Sequence, residues 1–268
     1  MPEQADQYFA DHASSASEVE RLGRICKMYD AWTQQQIFRA GVIAGDTVAE
    51  IGFGTGSMLL WLSSQVGDEG AAHGYDLTSR FVDTDLAILP RNNVEVFELN
   101  IQDTELPKNQ YDFVYTRLLL SHLYDPKTAM KNMLAGLKPG GTMITLDYDS
   151  LVVRAEEDTE EAYEFNQAVQ EMNLKIGSQG LVSASYGAEM AQHMREIDML
   201  NISDTILQRH YKGGDFEALV AADGLDLLAQ VHPETANQAQ LIAEKMRTPG
   251  FAYRDSDIHC CIAAKRED

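Results

Sequence analysis

The chain has 268 residues, of which 44% are hydrophobic, so it can bury a full core as one large α/β domain or as a domain with an attached cap. Its formal net charge of −21 argues against nucleic acid or an anionic membrane as a partner, because both are polyanions that require a clustered basic surface. No apolar run approaches the roughly 20 residues that cross a bilayer, and the N-terminus lacks an apolar signal segment, which predicts a cytoplasmic protein.

Residues 1–45 are expected to form an N-terminal helical cap. A capping-box-like pattern at residues 17–20 precedes apolar residues at helical spacing, and Gly41 ends the pattern.

A glycine-rich loop follows the first predicted strand, residues 48–51. Alternate glycines let the backbone turn sharply and approach a ligand closely, and a helix-like segment begins at Ser57. A dinucleotide fold requires G-x-G-x-x-G, but Ser57 stands where the third glycine belongs. The pattern is instead E-x-G-x-G-x-G, with Glu50 two positions before the first glycine. Its glycines are Gly52, Gly54 and Gly56.

The second predicted strand, residues 71–76, ends in Asp76, which lies 20 residues past Gly56. In a nucleoside-binding doubly wound sheet, an acid at this point can accept both ribose hydroxyls. A helix over residues 79–89 and a third strand over residues 94–99 are expected next.

The fourth predicted strand, residues 111–116, leads into R-L-L-L-S-H-L-Y-D-P at residues 117–126. A helix over residues 127–137 is followed by an L-K-P-G-G turn and a fifth strand over residues 142–147. Beyond this strand, helices are expected at residues 155–176, 187–199, 216–228 and 233–247, and strands at residues 200–207 and 258–265.

These motifs, in this order over about residues 46–149, resemble the class I S-adenosylmethionine-dependent methyltransferases. The resemblance implies an α/β, Rossmann-like, doubly wound fold. Its seven-stranded sheet is mostly parallel with an antiparallel edge hairpin, and it carries N-terminal helices and inserted lid helices. The implied domains are 1–45 (helical cap), 46–149 (cofactor-binding core), 150–199 (helical acceptor and lid insertion) and 200–268 (remaining core sheet with further helices).

The implied cofactor is S-adenosyl-L-methionine, with S-adenosyl-L-homocysteine as product. In the family, the glycine loop passes around the methionine part, the acid after the second strand binds the ribose, and the segment after the third strand contacts the adenine. Asn100 stands where that segment usually has an aspartate. Structural roles are the favoured alternatives for two candidates: Arg117 as a residue bonding nearby carbonyls or a carboxylate, and Tyr29 as an ordinary core or interhelix aromatic. The candidate cofactor-binding residues are Glu50, Gly52, Gly54, Gly56, Asp76, Leu77, Asn100, Ile101, Arg117 and Tyr29.

The catalytic candidates are His122, Asp147 and Asp149. A sulfonium methyl is already electrophilic, so in-line alignment of a nucleophile supplies much of the catalysis, and a hydroxyl acceptor also needs a base. His122 follows the fourth strand and could be this base or a packed histidine supporting the loop. Asp147 and Asp149 could orient an acceptor or cap the following loop.

The resemblance predicts methyl transfer to an O, N or C nucleophile of a small molecule. A cofactor-binding regulator, or an enzyme using the sulfonium for other chemistry, remains an alternative, and an NAD-dependent oxidoreductase is less favoured because of Ser57. The three cysteines lack C-x-x-C spacing and the seven histidines are scattered, so no metal site is expected. Lid helices often pair between subunits in this family, which also allows a homodimer.

Overall fold

Seven strands form the central sheet of the computed structural model, which describes residues 15–81, 91–179 and 183–267. In spatial order the strands are β3 (Val94–Glu98), β2 (Ala71–Asp76), β1 (Thr47–Ile51), β4 (Tyr111–Arg117), β5 (Leu137–Asp149), β10 (Asp257–Ala264) and β7 (Leu200–Leu207). Strands β1 to β5 pair in parallel, whereas β10 is antiparallel to both β5 and β7. The predicted mostly parallel, Rossmann-like sheet is therefore confirmed.

The antiparallel pair of late strands is present, but its two strands are far apart in the chain. Strand β10 lies between β5 and β7, so β7 is the only one of the two late strands at an edge of the sheet. Two helices and two short strands separate β7 from β10. The pair therefore does not close through a short turn.

Seven helices accompany the sheet in the described part of the chain. They are α1 (Ser15–Ala40), α2 (Ser57–Val66), α3 (Pro126–Gly136), α4 (Glu160–Gln179), α5 (Tyr186–Glu196), α6 (Phe216–Val231) and α7 (Ala236–Arg247). The start of α3 shows how sequence sets a helix end. Asp125 accepts a hydrogen bond from the Thr128 amide at 2.9 Å, and Pro126 occupies the first turn, where its missing N–H costs nothing.

Two hydrophobic clusters cover the two faces of the sheet. Successive strand residues point to opposite faces, so Val48 packs in one cluster and Ala49 in the other. The cluster containing Val48 includes Leu59 of α2, whereas the cluster containing Ala49 includes Met133 of α3 and residues of α5. The strands are thus buried on both sides, as expected for a doubly wound sheet.

A third hydrophobic cluster lies apart from the sheet and joins α4, α6 and α7. It includes Phe165, Ile242 and Tyr253, which are all almost completely buried. A small antiparallel sheet in the order β6 (Arg154–Ala155), β9 (Ala252–Arg254), β8 (His210–Lys212) belongs to the same region. We call these three helices and three strands the accessory unit.

The accessory unit draws on chain segments both before and after residue 199, whereas α5 packs on the central sheet. The predicted domain limits remain a prediction. Of the predicted cap, residues 1–14 lie outside the described residues, as do residues 82–89 of the helix expected at 79–89. No described helix is long and apolar enough to span a membrane.

Candidate functional site

A cavity of about 450 Å³ lies at the carboxyl ends of β1, β2 and β4. This is the edge at which ligands bind in open α/β sheets, and the volume lies in the range of small-molecule sites. Eight of the residues predicted to bind the cofactor line it: Glu50, Gly52, Gly54, Asp76, Leu77, Asn100, Ile101 and Arg117.

The glycine loop forms one wall of this cavity. Gly52, Gly54 and Gly56 all have positive φ angles, of 76°, 55° and 86°, which side-chain-bearing residues rarely adopt. A Cβ atom at Gly52 would also lie 3.1 Å from Leu119 Cδ2. Gly56 does not line the cavity, because it caps the start of α2 instead.

Asp76, at the end of β2, connects the glycine loop to the sheet through a hydrogen bond. One carboxylate oxygen accepts a hydrogen bond from the Gly54 amide at 3.0 Å, and the other accepts from the Thr78 amide at 3.3 Å. Burial raises the pKa of this carboxyl, and the backbone donors offset part of the effect. Each oxygen can still accept a further bond from a ligand.

Glu50 presents an unsatisfied carboxylate oxygen to the cavity. The residue is 4% exposed, and its Oε2 has no hydrogen-bond partner among the described residues. Burial raises its pKa well above the usual value, against the opposing charge of Arg117. A buried acceptor of this kind is costly unless a donor meets it, so Glu50 fits a cationic ligand group.

Arg117 joins β4 to α1. Its guanidinium forms an ion pair with Asp30 at 2.9 Å and donates to the Thr33 hydroxyl at 3.0 Å. It is therefore engaged structurally while also lining the cavity.

The opposite wall contains Asn100 and Ile101. The Asn100 side chain donates to Asp103 at 2.7 Å and accepts from the Gln102 amide at 3.0 Å, which orders the turn after β3. Ile101 and the half-exposed Leu77 contribute apolar surface.

Several further lining residues were not singled out from the sequence. They are hydrophobic residues or lie on α1: Leu22, Ile25, Cys26, Phe53, Phe81 and Leu99. The helical spacing of Leu22, Ile25 and Cys26 shows that these residues share a face of α1, but spacing alone does not show what that face covers.

His122 lines the cavity and is neutral near pH 7. Burial, together with the positive charge of Arg21, lowers the pKa of its imidazole to about 4. Its ring lies edge-on to Tyr148 with centroids 6.0 Å apart. A base this weak removes a proton from a hydroxyl poorly. Its assignment as general base stays a prediction.

Asp147 and Asp149 do not line the cavity. Asp147 is completely buried and accepts hydrogen bonds from the Ser121 and Tyr148 amides, each at 3.0 Å. Burial raises its pKa to about 6. Asp149 accepts from the Leu151 amide at 3.0 Å. Both carboxylates therefore accept backbone hydrogen bonds that order the adjacent loops, and their assignment as catalytic residues stays a prediction.

A second cavity, of about 270 Å³, lies between α1, the end of β5 and the accessory unit. It shares Arg21, Ile25, Leu118 and Tyr148 with the first cavity. Its walls are mainly apolar: Met28, Val153, Val169, Met172, Val220, Ala221, Leu225, Ile242 and Met246. Tyr29 lines this cavity and not the first, so its placement differs from the one predicted, because α1 passes from one cavity to the other.

The junction of the two cavities contains a strained residue. Leu118 has a φ angle of 52°, which is uncommon for a side chain of this size. Its amide donates to the Leu146 carbonyl at 2.8 Å, which helps to hold this conformation. Backbone strain of this kind concentrates at functional sites.

Helix α1 is anchored on both sides of the junction. Asp30 pairs with Arg117 of β4, and Arg24 pairs with Asp223 of α6 at 2.6 Å. The helix thus connects the central sheet to the accessory unit.

Comparison with known proteins agrees with this geometry. Residues 49–145 match the family described as methyltransferase domain. The ubiquinone/menaquinone biosynthesis C-methyltransferase UbiE of Francisella tularensis subsp. novicida (strain U112) is 26% identical over 126 residues, or 46% of this chain and 50% of that protein. The chain therefore spans about half the length of the curated relatives it matches.

Solved structures share the fold over most of the chain. A SAM-dependent methyltransferase from Aquifex aeolicus superposes with a TM-score of 0.52 and 15% identity, covering 93% of this chain and 98% of that one. Haemonchus contortus phosphoethanolamine N-methyltransferase 2 was solved with phosphomonomethylethanolamine and S-adenosylhomocysteine. It superposes with a TM-score of 0.56 and 15% identity, covering 88% of this chain and 53% of that one.

The domain match does not favour the NAD-dependent oxidoreductase or the cofactor-binding regulator. The matched family identifies residues 49–145 as a methyltransferase domain, and the glycine loop and strand order make the chain similar to the class I S-adenosylmethionine-dependent methyltransferases.

Proposed function

We propose that the protein transfers a methyl group from S-adenosylmethionine in the first cavity to a small molecule in the second. The observation that carries the proposal is the shared wall: Leu118 and Tyr148 line both cavities. The two cavities adjoin at these residues, so a methyl donor in the first cavity and an acceptor in the second would meet at this junction.

The first cavity fits this cofactor chemically. Its methionine part carries a cationic amine, for which the unsatisfied Glu50 oxygen is a suitable partner. Asp76 has remaining acceptor capacity for ribose hydroxyls, and Leu77 and Ile101 offer apolar surface for a base. The bound cofactor supplies an electrophilic methyl group.

The protein's own contribution is positioning and exclusion of water. The accessory unit and α1 enclose the acceptor cavity with apolar side chains, which holds a nucleophile near the junction. Neutral His122 can accept a hydrogen bond there, but its low pKa makes alignment more important than proton removal.

The acceptor is a small molecule with an O, N or C nucleophile. The two named relatives differ in the atom that is methylated: the name of the Francisella protein specifies C-methylation and that of the Haemonchus protein N-methylation. The cytoplasmic location and the homodimer remain predictions from the sequence.

Isothermal titration with S-adenosylmethionine, S-adenosylhomocysteine and NAD tests the cofactor assignment. Micromolar binding of the first two and none of NAD is expected, and binding of NAD alone would overturn it.

The acceptor assignment is tested by filling the second cavity. Ala221→Phe should abolish transfer of labelled methyl groups to a panel of phenols, amines and 1,3-dicarbonyl compounds while S-adenosylhomocysteine still binds. Leu219→Phe is the matched control, because Leu219 lies on the same helix and lines neither cavity. Equal transfer by the two variants would place the acceptor elsewhere.

A further inference from the structure

The second cavity has a polar cluster in an otherwise apolar surface. Arg209 is 6% exposed and pairs with Asp255 at 3.0 Å. Its Nε donates to the Ser256 carbonyl at 2.8 Å, and its Nη1 donates to the Tyr29 hydroxyl. Tyr29, Arg209, Asp255 and Ser256 line the second cavity but not the first.

The cluster offers hydrogen-bonding groups to a molecule in the cavity. Tyr29 accepts from Arg209, and burial raises its phenol pKa to about 12 despite the nearby guanidinium, so the hydroxyl keeps its proton and can donate it. The Asp255 oxygens, engaged by Arg209 and by the Ser256 amide, each retain capacity for a second bond. The cluster therefore places a hydrogen-bond donor, the Tyr29 hydroxyl, near a hydrogen-bond acceptor, the Asp255 carboxylate.

The cluster offers no net charge. Arg209 and Asp255 compensate each other, and Arg21, the other cation in the cavity wall, pairs with Glu18 at 2.6 Å. A charged ligand group buried here would lack a free counter-ion and would lose its hydration, which is unfavourable. A neutral oxygen function matches the cluster better than a phosphate, carboxylate or ammonium.

We propose that Tyr29, Arg209 and Asp255 recognise the acceptor, and that the acceptor is a neutral, mostly apolar molecule bearing a hydroxyl or carbonyl oxygen. This rests on the proposed function, because it takes the second cavity as the acceptor site. It separates this chain from the Haemonchus protein, which was solved with the charged molecule phosphomonomethylethanolamine.

Four probes with one ring system test the chemistry: 2-naphthol, 2-acetylnaphthalene, 2-naphthoate and 2-methylnaphthalene. Binding to the full chain saturated with S-adenosylhomocysteine is measured by titration. The hydroxyl and ketone probes should bind at least about 5-fold more tightly than the carboxylate and the hydrocarbon, in keeping with a net hydrogen bond and an uncompensated charge. Tightest binding by the carboxylate or the hydrocarbon, or no binding by any probe, would overturn the proposal.

Tyr29→Phe tests the cluster itself with little risk to folding. It should weaken the oxygen-bearing probes about 2- to 12-fold, the range for one hydrogen bond, and leave the hydrocarbon unchanged. Tyr163→Phe is the matched control, because Tyr163 is 63% exposed on α4 and lines neither cavity. Equal probe affinities for Tyr29→Phe and the control would refute the assignment.

The two proposals fail separately. If the cofactor assignment is wrong, the protein will not bind S-adenosylmethionine. If only the present inference is wrong, the protein will bind the cofactor and the order of the probe affinities will differ from the one expected.

Discussion

Replacing Glu50 by glutamine should change stability and cofactor affinity in opposite directions. Glutamine keeps the shape of the side chain and removes its charge. The ionised carboxylate is buried with Oε2 unpaired, so it destabilises the folded protein when no ligand is bound. A cationic ligand group would pair with the carboxylate and offset this destabilisation. Glutamine cannot form that ion pair, so the variant should bind the cofactor more weakly.

Desolvation dominates the stability effect. The attraction of Arg117 opposes it, but Arg117 keeps Asp30 as an ion-pair partner in the variant. An unsatisfied buried group costs about 1–3 kcal/mol. Because the attraction of Arg117 is lost as well, the free energy of unfolding of the unliganded variant should rise by only about 1–2 kcal/mol, which raises its Tm by roughly 2–8 °C.

The gain should depend on pH. The folded-state pKa of Glu50 lies above its ordinary value of 4.5, so below that value the carboxyl is neutral in both folded and unfolded chains and costs nothing. Stability is lost as the pH rises through the folded pKa. The variant's advantage should therefore be small at pH 4.5 and should grow as the pH rises toward the folded-state pKa.

Cofactor affinity should fall about 10- to 150-fold, which corresponds to the 1.5–3 kcal/mol of a hydrogen bond to a charged group. Titration with both S-adenosylmethionine and S-adenosylhomocysteine identifies the ligand group that pairs with Glu50, because both molecules carry the amine and only the first carries the sulfonium. The exposed Glu95→Gln is the matched control. Unchanged affinity for both ligands, or a lower Tm for the unliganded variant, would refute the reasoning.

Three further predictions concern single residues. The His122 imidazole resonance should not titrate between pH 5.5 and 9 in an NMR titration, since its pKa is lowered to about 4 by burial and Arg21; a midpoint near 6.5 would refute this. Gly74→Ala should cost about 1–3 kcal/mol in denaturant unfolding, because its Cβ would lie 2.8 Å from Phe53 Cδ1; an unchanged midpoint would contradict the close packing. Asp204→Asn should destabilise the protein more at pH 5.5 than at 8.5. Burial lowers the pKa of His259, but Asp204 at 2.8 Å and other acids raise it overall, so this stabilisation is present below pH 6.5 and lost as the pH rises through the folded pKa. Equal losses in thermal unfolding at the two pH values would argue against it.

Local signals predicted the central sheet well. The strand ending at Asp76 could be located because a short strand-like run, an acidic residue and a turn follow one another there. The loop before α2 could be located because its glycines have backbone angles that other residues avoid. Strands β6, β8 and β9 have only two or three residues, too few to show a period of two.

The acceptor cavity could not be predicted from local patterns. Arg209 and Asp255 are 46 positions apart and meet only because β8 and β9 pair. Asp147 could be placed at the end of β5, but which way its carboxylate turns depends on the Ser121 amide of a different segment. Tyr29 follows the same helical pattern as its neighbours on α1, and the pattern does not show where one cavity stops and the next starts.

The position of α1 also bears on the kinetics of turnover. Arg21 and Ile25 of this one helix line both cavities, and its two ion pairs tie it to β4 and α6. A displacement of α1 that lets one product escape therefore loosens the wall around the other. Release of the methylated product and of S-adenosylhomocysteine should share one opening step, and the rate of that step should rise with ionic strength because salt weakens the half-exposed Arg24–Asp223 pair.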